Sequence, residues 1–598
     1  MSEYLVNLKI NDMSVSVPEG TTILEAAKKL NFKIPTLCHH PDLTVAGNCR
    51  VCVVEQKGAK VLVASCATPV AEGMEISTNS AKVRQARKTV IELLLSEHNA
   101  DCTKCFKNGN CELQELSSEY SVGDHVFIDL VALSGKPMID ISSPSIQKDD
   151  SKCIRCQRCV RTCHEIQHVS ALAVVNKGNQ QRISTFLNKP LNDVVCTNCG
   201  QCVNRCPTGA LTERTNIDEV WDAINDPTKH VVVQTAPSVR VALAEPLGYE
   251  PGNRVTHKMV SALKHIGFDS VLDTDFSADL TIMEEGTELL TRLKKVLVDG
   301  DTSVKLPMTT SCSPGWVKFI EHTYPELLDN VSTCKSPQQM FGALVKTYYA
   351  QKKGLKAQDI VSVSIMPCTA KKYEADRPEM RDSGYKDVDY VLTTRELAMM
   401  IKQAGIDFES LPDMEFDRIM GDSTGAAVIF GSTGGVMEAA LRTAYEIVTG
   451  REVPFKNLDI LPVRGIEGVR EASVKIEGCL PEWSFLEGAE LKCAVAHGLE
   501  NAYQLMKAVK EGTASYHFIE IMACPGGCIG GGGQPIPTNE DIRAKRAMAI
   551  YEEDSSLPIR KSHQNPEVQQ LYKEFLGQPL GHKSHDLLHT HYKARKRY

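Results

Sequence analysis

The chain has 598 residues, a formal net charge of −8 and 24% charged residues. A single hydrophobic core does not extend over that length, so several domains are expected, and the mildly acidic balance carries no electrostatic footprint for nucleic acid. No apolar run is long enough to span a bilayer, and the opening MSEYLVNLKINDMSV has neither the basic start nor the apolar core of a secretion signal, which makes a cytoplasmic location the expectation.

Twenty-two cysteines in a reducing compartment are not a disulfide framework. Most fall into short CxxC clusters, the spacing of metal ligands. Residues 4–17 alternate apolar and polar around Asn11 and Asp12, which predicts a hairpin. Pro18, Glu19 and Gly20 end it, and Thr21 or Thr22 caps a short helix through Leu30. Cys38, Cys49, Cys52 and Cys66 follow, spaced C-x10-C-x2-C-x13-C. This resembles the adrenodoxin and plant-type ferredoxin arrangement around a 2Fe–2S cluster, although the spacing differs from the plant-type one. A structural zinc site is the competing use of four such cysteines.

An amphipathic helix over 81–95 leads to His98 and then Cys102, Cys105 and Cys111, spaced H-x3-C-x2-C-x5-C. Zinc also accepts one histidine and three cysteines, so the local motif does not name its metal. Its place directly after a ferredoxin-like segment resembles the respiratory complex I large subunit and the iron-only hydrogenases, which implies a 4Fe–4S cluster with one histidine ligand. Residues 119–150 read as a connector with some local structure. Cys153, Cys156, Cys159 and Cys163 then repeat as Cys196, Cys199, Cys202 and Cys206, each run C-x2-C-x2-C-x3-C, with Pro207 after the second. In this bacterial ferredoxin signature the fourth cysteine of each run ligates the other cluster. One 4Fe–4S cluster is therefore expected on Cys153, Cys156, Cys159 and Cys206, and a second on Cys163, Cys196, Cys199 and Cys202. Such a row of one-electron carriers needs a donor or acceptor outside and a two-electron reaction at its inner end.

From about residue 215 strand-like runs (231–234, 361–365) alternate with helical stretches such as 337–352 and 394–403, which predicts α/β layers. FGSTGGVMEAA lacks the Lys-Ser/Thr ending of a nucleotide loop and reads as a tight turn before a helix. Cys312 lies in TSCSPGW. Cys368, in MPCTAKKYE, follows a strand-like run at the end where α/β sites form. Cys524 and Cys528 lie in EIMACPGGCIGGGGQP, whose glycines allow positive φ and close approach of backbone to a ligand. Thiolates suit soft metal centres.

These three segments resemble the signature segments of the catalytic domain of FeFe hydrogenases, and the upstream modules resemble the long, four-cluster form of that family in order and spacing. The resemblance implies an H-cluster: a 4Fe–4S cubane bridged to a two-iron unit with CO, cyanide and dithiolate ligands. It assigns Cys368, Cys524 and Cys528 to the cubane, with Cys528 as the bridge. Lys371 would pair with a cyanide, Met366 and Met522 would pack around the two-iron unit, and Gln338 and the TAPS turn at 235–238 would line the pocket. Glu285, Glu288 and Ser332 match the family's proton relay. The two glutamates are three residues apart on one helical face; an ordinary solvated acidic face is the alternative. Where the family usually carries two adjacent cysteines, a proton shuttle and a cubane ligand, this chain has Cys312 and Ser313. Ungapped, Cys312 takes the relay and Ser313 the ligand position; a one-residue shift would make Cys312 the ligand. Cys334, Cys479 and Cys493 fit no cluster motif and read as buried small hydrophobes.

The resulting expectation is a multidomain α+β and α/β protein. It comprises a β-grasp 2Fe–2S ferredoxin-like domain (1–78), a small helical one-His, three-Cys domain (79–118), a double 4Fe–4S ferredoxin domain (140–212) and a two-lobed α/β catalytic domain (215–598). The implied reaction is 2H⁺ + 2e⁻ ⇌ H₂. The implied partners are ferredoxin or an NAD(P)- and flavin-binding subunit, since the chain has no fingerprint for either cofactor, and the proteins that mature the H-cluster. A complex I-like electron-transfer subunit and a non-catalytic relative, either a hydrogen sensor or an iron–sulphur assembly protein, are the rival readings.

Overall fold

The computed structural model describes residues 4–123, 127 and 139–597; the middle of the expected connector lies outside them. Strands β1 (Leu5–Ile10) and β2 (Met13–Pro18) form the expected antiparallel hairpin. Asn11 and Asp12 turn it at φ of 47° and 64°, a region these two residue types tolerate. Alternation buries Val6, Leu8 and Ile10 against the helix Ile23–Lys29, whose cap is Thr22 in a capping box with Glu25. With β3 (Val53–Gln56), β4 (Val63–Ala64) and β5 (Glu75–Ser77) the hairpin completes a sheet of order β2-β1-β5-β3-β4. The helix Ala81–Ser96, capped by Ser80, carries the chain to His98.

The next module has a three-stranded sheet of β6 (Ile139–Asp140), β7 (Ile146–Asp149) and β10 (Leu211–Glu213), and a hairpin of β8 (Ala173–Val175) and β9 (Arg182–Ser184). Its internal repeat is visible in the backbone. The short helices Arg158–Arg161 and Gln201–Arg205 each begin inside a cysteine run, after a left-handed residue, Gln157 (φ 63°) and Gly200 (φ 70°).

Two four-stranded sheets build the rest. In the first, β11 (His230–Thr235), β12 (Ser270–Asp273), β14 (Ile360–Met366) and β15 (Tyr390–Thr393) lie in the order β12-β11-β14-β15, all parallel. Their near-continuous apolar runs reflect helices on both faces. The second orders β13 (Met308–Thr309), β18 (Phe518–Met522), β17 (Glu490–His497) and β16 (Val469–Lys475), with only β16 antiparallel. Each sheet has its own apolar core, which makes two lobes. The 24-residue helix Thr274–Leu297 contributes Ala278, Ile282 and Leu289 to the second-lobe core and Phe276 and Leu280 to a third cluster with the C-terminal helices. The stretch expected as one helix over 337–352 is helical but widens to a π turn at Val345–Tyr349 between Pro337–Leu344 and Ala350–Lys353. FGSTGGVMEAA turns into the helix Gly435–Thr449, as expected. Among the described residues no helix is long and apolar enough to cross a membrane.

Candidate active site

Strands β14 and β18 end at Met366 and Met522, and the residues that follow them, Cys368, Cys524 and Cys528, converge on one cavity between the lobes. Cys312, Ser313, Lys371, Gln338, Met366 and Met522 line the same space, as do Ala236 and Pro237 of the TAPS turn. This is where open parallel sheets place their sites, because loops leave both sheets there and the backbone is free of ladder bonds. Gly526 and Gly527 have φ of 78° and 86°, as the turn between the two cysteines requires. The later glycines also serve packing. A Cβ on Gly531 or Gly532 would stand 2.1 Å from the carbonyl oxygen of Pro367 or of Cys199. They let this loop lie directly on the loops of Cys368 and Cys199, while Gly527 and Gly531 line the cavity.

A residue the sequence reading missed organises the cavity wall. One oxygen of buried Glu374 accepts from Lys371 Nζ (2.9 Å), Gln338 Nε2 (3.1 Å) and Ser336 Oγ (2.8 Å). Its signal was available: Glu374 follows Lys371 by three residues on one helix, within ion-pair reach. Lys371 Nζ also donates to the Cys312 carbonyl at 3.0 Å. Ser313 Oγ accepts from the Ala523 N–H at 3.2 Å, which ties the TSCSPGW loop to the β18 loop.

Glu285 and Glu288 lie on one face of the helix Thr274–Leu297, and that face is buried rather than solvated. The solvated-face alternative therefore fails. Ser332 Oγ donates to Glu288 Oε2 at 2.8 Å, and Arg292, which the sequence reading also passed over, donates to Glu288 Oε1 at 2.6 Å. Burial pushes the Glu285 carboxyl up to about 8, helped by the Glu288 charge and partly offset by Ser332 and the Ser311 N–H. Burial and the neighbouring Glu285 hold the Cys312 thiol well above its usual range. The groups thus run in sequence from the cavity (Cys312, Glu285) through Ser332 to Glu288 and a surface groove lined by Glu288 and Arg292.

The other cysteines gather as spaced. Cys52 Sγ and Cys66 Sγ are 3.4 Å apart, and the Cys49 N–H points to Cys38 Sγ. His98 Nδ1 is 3.1 Å from the Lys152 carbonyl. That contact makes Nδ1 the protonated nitrogen and leaves Nε2 free to ligate. One cavity is lined by Cys153, Cys156, Cys159 and Cys206, and another by Cys163, Cys196, Cys199 and Cys202, so each brings in the fourth cysteine of the other run. Burial pushes five of the thiols up, to about 11 at Cys153 and Cys163 and about 12 at Cys156, Cys199 and Cys528. Several buried thiols ionise together only against cations, so the residues fit metal clusters. Cys199 lines the lobe cavity too. The seam around it is densely bonded: Gln201 Nε2 to the Gly530 carbonyl (2.8 Å), Asn204 Nδ2 to Gly531 (2.9 Å) and Thr369 Oγ1 to Asn198 (2.8 Å). Arg395 joins Glu213 to the Gly532 carbonyl. Gly209 packs against Cys105, and Asp42 bridges Arg205 (2.8 Å) and Arg543 (3.0 Å), so every cysteine group abuts the next.

Two of the leftover cysteines need correction. Cys479 is half-buried, not buried. Cys334 is fully buried but faces Glu288 and His589 rather than only apolar neighbours; Cys493 is buried as expected.

Comparison with known proteins decides what this arrangement is. Residues 229–532 match the iron only hydrogenase large subunit, C-terminal domain, and 540–595 the iron hydrogenase small subunit. The chain belongs to the FeFe (iron-only) hydrogenase family. The hydrogenase also matches a 2Fe–2S iron–sulphur cluster binding domain at 3–81 and the NADH-ubiquinone oxidoreductase-G iron–sulphur binding region at 87–125. The NADH-quinone oxidoreductase subunit 3 ferredoxin-like domain matches at 143–212. It is 52% identical to the NADP-reducing hydrogenase subunit HndD of Solidesulfovibrio fructosivorans, covering 99% of this chain and 100% of that protein. Iron hydrogenase 1 of Clostridium pasteurianum is 40% identical, covering 98% and 99%. A variant of the apo FeFe-hydrogenase HydA1 of Chlamydomonas reinhardtii is similar in structure with a TM-score of 0.57 and 45% identity, over 64% of this hydrogenase and 100% of that chain. The rival reading of an electron-transfer subunit without a catalytic domain is thereby set aside.

Proposed function

We propose that this hydrogenase is the cytoplasmic catalytic subunit of an assembly that exchanges electrons between dihydrogen and an NAD(P)- and flavin-binding partner or ferredoxin. The observation that carries this reading is one cavity with Cys199 of the ferredoxin-like module on one side and the Cys312–Glu285 path on the other. Electrons and protons then reach the same space by separate routes. The similarity to an NADP-reducing hydrogenase subunit and to NADH-dehydrogenase-type modules supports the partner class.

In this reading Cys368, Cys524 and Cys528 would hold the cubane, with Cys528 the thiolate shared with the two-iron unit, and Ser313 would take the remaining ligand position as an oxygen donor. Cys38, Cys49, Cys52 and Cys66 hold a 2Fe–2S cluster; His98, Cys102, Cys105 and Cys111, and the two ferredoxin-type sets, hold one 4Fe–4S cluster each. The H-cluster, when bound, supplies the redox chemistry of proton reduction and dihydrogen oxidation. The chain's own residues do the rest. Lys371 presents its ammonium, held by Glu374, to an anionic ligand. Met366 and Met522 exclude water. Cys312 passes a proton toward Glu285, whose pKa near 8 lets it both accept and release one at neutral pH, and Ser332 and Glu288 lead it to the surface. The domain boundaries 1–78, 79–118, 140–212 and 215–598 divide these tasks.

Infrared spectra of anaerobically matured protein test the reading: intrinsic CO and cyanide bands are expected, with about 20 iron atoms per chain. Absence of those bands favours a sensor or assembly role. Reduction of NADP⁺ by dihydrogen should need an added flavoprotein partner; reduction by the isolated chain would refute the partner assignment.

A further inference from the structure

Glu288, Cys334 and His589 bring a carboxylate oxygen, a sulphur and a ring nitrogen within 4.8 Å of one another, all buried. Cys334 Sγ stands 3.8 Å from Glu288 Oε2 and 4.0 Å from His589 Nδ1. We propose that these three side chains form a binding site for a borderline-soft divalent cation of the zinc or cadmium class, set on the outer end of the proton path.

The surroundings are those of a ligand shell. The far nitrogen of the imidazole, His589 Nε2, is 3.2 Å from Glu284 Oε2. Glu284 is itself fixed by the Tyr572 hydroxyl (2.6 Å) and the Leu580 N–H (2.8 Å). A carboxylate there accepts a hydrogen bond from Nε2–H and leaves the Nδ1 lone pair aimed at Cys334 and Glu288, the carboxylate–histidine arrangement that supports metal ligation. The Thr333 hydroxyl, 2.8 Å from Nδ1, donates to that lone pair and gives way when a cation takes it. Glu288 is braced on the other side by Arg292 and Ser332. Sulphur, nitrogen and oxygen donors in tetrahedral reach suit zinc or cadmium; magnesium and calcium demand oxygen alone. One thiolate and one carboxylate neutralise the dication. The thiol proton is released on binding, so affinity rises with pH. Burial and the nearby Glu288, Glu285 and Glu284 keep that thiol protonated while no cation is present. A groove lined by Glu288, Thr333, His585 and Thr590 provides access.

Nothing in the electron wire or the lobe cavity uses Cys334 or His589. The consequence for turnover rests on the relay reading above: a cation on Glu288 removes the path's last carboxylate from proton exchange.

The test uses the mature holoenzyme, one equivalent of zinc, removal of free metal, and zinc and iron analysis with zinc X-ray absorption. Wild type should keep one zinc with unchanged iron, one sulphur at about 2.3 Å and nitrogen or oxygen at about 2.0 Å. Cys334→Ala should lose the sulphur scattering, and Glu284→Gln, which changes the partner of His589 Nε2, should bind about 10- to 100-fold more weakly. Zinc should slow hydrogen evolution about 10²-fold in wild type and leave the rate of Cys334→Ala at its own zinc-free value. Equal zinc retention by wild type and Cys334→Ala, or a shell of four sulphurs with iron loss, overturns the site. Zinc bound as described with full turnover keeps the site and removes Glu288 from the proton path.

Discussion

Glu285→Gln separates proton transfer from structure. The carboxyl is 2% exposed, one of its oxygens has no hydrogen-bond partner, and its pKa stands at about 8 against an ordinary 4.5. Because the folded value lies above the unfolded one, the neutral form's stabilisation is complete below about pH 4.5 and is lost as pH rises through 8. At pH 7 the folded state is about two and a half units short of its acid stability, which at about 1.4 kcal/mol per unit is about 3.5 kcal/mol. Glutamine keeps the shape without the charge, so the variant should gain about that much on wild type at pH 7, and little at pH 4.5. Asp279 and Glu520, both pushed up to about 7 by burial, tilt both proteins' profiles alike and cancel in the difference. An amide cannot relay a proton, so hydrogen evolution should fall by about 10²- to 10⁴-fold with all cluster signals intact. The assay pairs unfolding midpoints from pH 5 to 8 with turnover driven by a reduced dye. Wild-type turnover in the variant would refute the relay, and a stability gap that does not widen with pH would refute the buried neutral carboxyl.

Cys312→Ala should abolish turnover and leave the cubane's paramagnetic signal; loss of that signal would show instead that Cys312, not Ser313, is the ligand. Cys528→Ser should stop turnover while the accessory clusters stay visible, since a hydroxyl is a poor bridge between two soft metals; near-normal evolution would refute the bridge. Arg395→Ala leaves half-buried Glu213, whose carboxyl it helps hold down at about 2 against burial, without its ion-pair partner, at about 1–3 kcal/mol. The seam should loosen, slowing evolution driven through the accessory wire more than evolution driven by small dyes; equal slowing with both would place the effect elsewhere.

Local chemistry was legible from the chain alone. Cysteine spacing marks metal-ligand groups because one centre needs its ligands within a few ångströms, and three residues of backbone span that distance. Thr22 with Glu25, and the apolar alternation of β1, fix their elements because caps and period-two burial act within a few residues. The catalytic chemistry was legible only through the resemblance of three segments to a known family. What lay beyond the sequence is what the lobes do to groups far apart in it. Glu285 and Glu288 matched a relay only by resemblance, with a solvated face as the alternative; burial in the packed lobes, which has no local signature, raises the Glu285 pKa. The glycines after Cys528 read as ligand-facing, and Gly531 and Gly532 are also required by the carbonyls of Pro367 and Cys199, which only the packed loops bring there. Cys334 joins His589, 255 positions away, and nothing in either neighbourhood announces the other. Contacts of such separation are decided by how the two sheets and the C-terminal helices pack, so only the tertiary structure could assemble them.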